Sequence, residues 1–107
     1  MSRWSTVTRA DVERAIGEYG RLGAREFFAR HGFGPARTYL LAWNGRRYPS
    51  KAILGTAYEF ATGQALGSGD FEGGKNGAAA VLRNLGFQVE PRSGGPPPAP
   101  DMPDNGR

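Results

Sequence analysis

Apolar residues along this chain change their spacing from segment to segment, and each change predicts an element. After Thr8, the residues Val12, Ala15, Ile16 and Tyr19 recur three and four apart, the period of an amphipathic helix. Thr8 suits the N-cap, with Asp11 in the place of the capping-box acid, and Gly20 and Gly23 are expected to end the helix. A second short helix is predicted from Ala24 to His31, burying Phe27 and Phe28. Gly32 then serves as the glycine past its end, with Phe33 closing it by hydrophobic contact. His31 falls in that last turn, where a cation is favourable.

The period then shortens. Thr38 to Trp43 is rich in β-formers, and Asn44-Gly45 is the strongest short hairpin signal, because both central residues of a type I′ turn need positive φ. Arg46-Arg47-Tyr48 is the returning strand, and Pro49 is expected to stop it. Ser50 is predicted to cap a third helix over Lys51–Thr62, with Ala52, Ile53, Ala57 and Phe60 as its buried stripe and Gly63 as its end. A glycine-rich loop runs from Gln64 to Gly74. A fourth helix is expected to begin near Lys75 or Asn76 and to carry Ala79, Val81, Leu82 and Leu85 up to Gly86. Phe87-Gln88-Val89 reads as a last strand beside the hairpin. The predicted fold is a small single α+β domain of order α-α-β-β-α-α-β.

Composition narrows the chemistry. The chain has 107 residues, enough for one core, and residues 91–107 are dominated by Pro, Gly and polar types. That segment has too little to bury to offset its ordering entropy, so a folded domain over 1–90 and a disordered tail over 91–107 are expected. Cysteine is absent, which excludes disulfides, zinc ribbons and thiol nucleophiles; His31 is the one histidine, which excludes a histidine-rich metal centre. No apolar run approaches the roughly 20 residues of a membrane span. A soluble protein of the bacterial cytoplasm, with no cofactor, is expected.

The net charge of +4 says less than its distribution. Between Glu26 and Glu59 no acid occurs, while Arg30, Arg37, Arg46, Arg47 and Lys51 all fall there, interleaved with Phe27, Phe28, Phe33, Tyr39, Trp43 and Tyr48. Cations among aromatics suit phosphate contact with base stacking, although the aromatics also serve as core. Arg46, Arg47, Tyr48 and Lys51 therefore form one candidate anion-binding edge. Lys51 lies in the first turn of its helix, where free N–H groups favour an anion and a lysine opposes the dipole; a lysine snorkelling along the helix accounts for it equally well.

Gly73, Gly74 and Lys75 form a second candidate. The run from Gly69 to Lys75 fits G-x-x-x-x-G-K, but Asn76 stands where a P-loop needs a Mg²⁺-binding hydroxyl, and no convincing strand precedes it. One anion held by backbone N–H groups and an ammonium is the reading that survives. Asp70, Glu72 and Lys75 have the wrong spacing for a carboxylate-carboxylate-lysine nuclease site. No catalytic constellation is evident, and a non-catalytic binding role is expected.

Tyr39-Leu-Leu-Ala-Trp-Asn-Gly-Arg-Arg-Tyr-Pro-Ser-Lys-Ala-Ile-Leu-Gly55, then Asp70-Phe-Glu-Gly-Gly74, then Val81-Leu-Arg-Asn-Leu-Gly-Phe-Gln-Val89, resembles the N-terminal head domain of McrA-like, modification-dependent (type IV) restriction endonucleases. The resemblance covers about Thr8 to Glu90. In that family the head precedes DNA-reading domains and an HNH nuclease, and neither an HNH motif nor a modified-base pocket domain occurs in this sequence. The resemblance implies a DNA-associated module of a restriction or defence system without its own active site. DNA is the expected partner, bound weakly and in a salt-sensitive way. The alternative is a protein-interaction module that docks on a separately encoded HNH nuclease or other effector through apolar surface near Trp43 and Tyr48.

Overall fold

A computed structural model of the protein describes residues 3–34, 39–67, 69–71 and 77–91. Among these, a 3-10 turn at Arg3–Thr6 leads into helices α1 (Arg9–Leu22) and α2 (Ala24–His31). Strands β1 (Tyr39–Trp43) and β2 (Arg46–Pro49) follow, then helices α3 (Ser50–Thr62) and α4 (Ala78–Asn84), and strand β3 (Gln88–Pro91). The α+β order read from the sequence is the order observed.

Local chemistry sets most of the boundaries. Thr8 and Asp11 make the reciprocal capping box that starts α1, each side chain bonding the other's backbone N–H. Gly23 ends that helix; Gly20 lies inside it instead, because the α1 ladder continues through to Leu22. At the end of α2, the N–H groups of Gly32 and Phe33 both bond the Phe28 carbonyl, at 2.8 and 3.3 Å. Phe33 turns back into the core, while Phe28 is only partly buried. Asn44 and Gly45 adopt φ of 50° and 79°, the two positive values a tight hairpin turn requires.

The three strands form an antiparallel sheet of order β2-β1-β3. Leu41 pairs with Tyr48 on one side and Val89 on the other, so these three side chains share the face turned to the helices, and all are buried. Ala42, Arg47 and Gln88 line up on the opposite face, as do Leu40, Pro49 and Glu90. Pro91 pairs with Tyr39 at the end of the β1–β3 ladder. Phe87 lies just before the strand, in the core.

Helix α3 is the centre of the domain, packed against α1, α2, α4 and both hairpin strands. Ala52, Ile53 and Ala57 are buried as predicted, but so are Leu54, Gly55 and Thr56; a helix apolar on all sides is a core helix. Phe60 is only partly buried. Ser50 is not the cap. Pro49 occupies that position, and Ser50 is the first helical residue, its hydroxyl buried and donating to the Tyr39 carbonyl at 3.0 Å. The side chain that was expected to start the helix ties it to β1. Helix α4 begins at Ala78 among the described residues; Lys75 and Asn76 lie outside them.

Candidate nucleic-acid interface

Strand β2 is an edge of the sheet, and it carries the predicted residues in sequence. Arg46 follows the turn directly and is exposed, and among the described residues it makes no ion pair. Arg47 points to the face away from the helices and is also exposed, but it is engaged. Its Nε donates to the Glu90 carboxylate at 2.9 Å, over the intervening β1. Lys51 stands past the end of β2, its ammonium 5.3 Å from the centre of the Phe71 ring. At roughly 3.3 Å of rise per strand residue, Arg46 and Pro49 lie about 10 Å apart. Arg46 and Arg47 leave opposite faces of the strand, and Lys51 follows in the first turn of α3.

Tyr48 departs from expectation. The sequence places it among the residues of the anion-binding edge, yet it is 8% exposed and its ring packs edge-on to Tyr19 at 5.4 Å. Strand alternation explains this: Tyr48 faces the helices wherever Arg47 faces solvent. Burial, and secondarily the neighbouring Tyr48, push the Tyr19 phenol above the usual tyrosine pKa. The second candidate, Gly73, Gly74 and Lys75, lies outside the described residues. What the structure does place is the stretch just before it: Phe71 packs against Trp4 and Phe33 and lies under Lys51.

His31 is more than a helix-terminal histidine. Its side chain is 8% exposed and sits between two carboxylates, Nε2 bonded to Glu18 of α1 and Nδ1 3.4 Å from Glu59 of α3. It joins three helices and is withdrawn from solvent. Among the described residues, no group of three His, Cys, Asp or Glu could hold a metal ion, and no helix is long and apolar enough to cross a membrane.

Two clusters escaped the sequence reading. One joins Trp4 to Tyr58 and Phe71, with ring centres 5.5 and 5.1 Å apart and the Arg3 guanidinium 5.9 Å from the Trp4 ring. The other places Arg9 over the rings of Phe87 and Trp43, at 4.4 and 5.7 Å. The available signal was faint: Trp4 and Phe71 are large aromatics in otherwise polar segments, and Arg9 differs from other surface arginines only through contacts with residues near the far end of the domain.

The family model of the ScoMcrA-like N-terminal head domain matches residues 5–91. A solved structure described as the Type IV phosphorothioation-dependent restriction endonuclease ScoMcrA aligns at 34% identity and a TM-score of 0.60. That alignment covers 82% of this chain and 13% of the other, so the chain spans a small part of that protein's length. No curated protein matches. The motif resemblance, the shared fold and a family match running from the 3-10 turn to the last residue of β3 agree, and the chain belongs to the ScoMcrA-like N-terminal head-domain family.

Proposed function

We propose that this head domain is a non-catalytic DNA-binding accessory module of a bacterial, cytoplasmic restriction system. Arg46, Arg47 and Lys51 contact phosphates along the β2 edge, and Gly73, Gly74 and Lys75 supply a second anion contact. Tyr48 serves from beneath, its buried ring fixing the strand that presents the arginines. The observation that carries this reading is the pair of arginines on the edge strand β2 with Lys51 in the first turn of the helix that follows it, headed by Arg46, which has no carboxylate partner among the described residues. The similarity to a protein named as a restriction endonuclease supports DNA as the ligand.

Few phosphates are engaged, so affinity is weak and salt-sensitive. The three cations of the β2 edge account for roughly −2.7 of the log–log salt slope. The test is fluorescence anisotropy of a labelled duplex over a salt series, comparing wild type with the Arg46→Ala/Arg47→Ala/Lys51→Ala triple variant. A much flatter slope in the variant is expected. Equal binding by both, or no binding by wild type at low salt, overturns the reading.

Docking on a separately encoded HNH nuclease or other effector is the second reading. The partly buried Trp4–Tyr58–Phe71 cluster favours it, as aromatic surface of this kind suits a protein partner. Capture of such a nuclease that persists at high salt and is lost in Trp4→Ala supports docking over DNA binding.

A further inference from the structure

The hairpin tip is bordered by an arginine from the start of α1. Arg9 donates from Nη1 to the Leu85 carbonyl at 2.9 Å, past the end of α4, and its guanidinium lies 4.4 Å from the centre of the Phe87 ring. Gly86 leaves the space: a Cβ there would stand 2.7 Å from that same Nη1. The Trp43 ring packs on Phe87 at 5.3 Å and is only partly buried, with the Arg9 guanidinium 5.7 Å from its centre. Directly opposite Trp43 in the β1–β2 ladder is Arg46, and directly opposed residues project from the same face.

One guanidinium therefore neighbours a partly exposed indole, and a second arginine stands directly across the strand pair from it. The helix-end contact accounts for one of Arg9's five donors. Its ion pair with Glu13 is loose, 3.7 Å long with both side chains 45% exposed. Among the described residues Arg9 makes no other hydrogen bond, and the ring and carbonyl hold the group in place before any ligand arrives. A planar, pre-positioned guanidinium suits phosphate oxygens at little cost in side-chain entropy.

We propose that Arg9, Trp43 and Arg46 form a phosphate-binding patch at the turn end of the hairpin, taking the backbone of duplex DNA. The patch deepens the DNA-binding reading and depends on it. It adds Arg9 and Trp43 to the contact surface and puts Arg46 with them instead of with Lys51.

Anisotropy titrations of a labelled duplex over a salt series, with wild type, Arg9→Gln and Arg21→Gln, test the patch. Loss of one phosphate contact lowers the magnitude of the slope by about 0.9 in Arg9→Gln. Arg21 is 69% exposed and lies about 18 Å along α1 from Arg9, so Arg21→Gln leaves the slope unchanged. Because Arg9→Gln also removes a contact to the end of α4, a second measurement is needed. Trp4→Phe leaves Trp43 as the single tryptophan, and its emission is expected to change on titration with the same duplex, saturating at the Kd found by anisotropy. No wild-type binding at low salt overturns both the patch and the DNA-binding reading. Binding with an unchanged slope in Arg9→Gln, or with Trp43 emission unmoved, overturns the patch alone.

Discussion

Arg47 on β2 donates from Nε to the carboxylate of Glu90 on β3, at 2.9 Å, and the bond passes over the strand between them. The side chains are 48% and 36% exposed, so the pair contributes about 0.2–1 kcal/mol to stability. Its larger effect is on the interface, where Glu90 competes with any phosphate for Arg47. Glu90→Gln removes the competitor and a negative charge together. Tighter duplex binding at low salt is expected, with a salt slope steeper by up to about 0.9 and stability within about 1 kcal/mol of wild type. Anisotropy and a thermal melt on the same preparation check both. Weaker binding by Glu90→Gln removes Arg47 from the contact surface.

His31 is expected to matter for stability. Its imidazole bridges Glu18 and Glu59 and lies against the Phe27 ring, with centres 4.7 Å apart. His31→Ala leaves the Glu18 carboxylate, 15% exposed, without that partner and opens a void beside Phe27. A loss of about 2 kcal/mol is expected. In a domain of this size that lowers Tm by roughly 10 °C, read by circular dichroism. A loss below about 0.5 kcal/mol shows that the three helices are held without the bridge.

Such long-range bonds mark the boundary of what the sequence discloses. The Thr8 capping box, the Gly32 and Gly63 helix ends and the Asn44-Gly45 turn were legible because each is decided within a few residues. Ser50 was misread because its hydroxyl had two uses, a local cap and the Tyr39 carbonyl, and the sheet beside it settled the choice. Tyr48 was assigned to the surface because it neighbours arginines in sequence, whereas strand alternation sends it inward. The absence of acids near Arg47 in sequence was real, and folding supplies Glu90 from 43 residues away. Arg9 was passed over for the same reason, since its partners Leu85 and Phe87 come from the other end of the domain.

One close approach was readable only as composition. Gly55 looks like an ordinary glycine in a helix, yet a Cβ at that position would lie 2.3 Å from Phe33 Cζ. Gly55→Ala therefore forces the Phe33 ring out of its place. The better helix propensity of alanine offsets up to about 1 kcal/mol, and the overpacking costs typically 1–3 kcal/mol, so net destabilisation is expected. Phe33→Leu in the same background recovers part of the loss, a non-additivity that urea unfolding of the single and double variants measures. Additive effects show that the ring moves aside freely.

Alkaline pH offers a last handle, through Tyr19. Burial, with Tyr48 adding to it, raises the folded-state pKa of this phenol above the unfolded value of about 10. Below that value both states carry the proton and pH has no effect through this group. Above it the unfolded chain ionises first, binds fewer protons than the folded one, and stability falls as pH rises until the folded-state pKa is passed. Tyr19→Phe keeps a ring for the edge-on contacts with Phe27 and Tyr48, at 5.1 and 5.4 Å, and removes the titrating proton. Urea midpoints at pH 8 and between pH 10 and 11 are expected to fall less with pH in the variant than in wild type. Parallel falls in the two proteins place the alkaline sensitivity elsewhere.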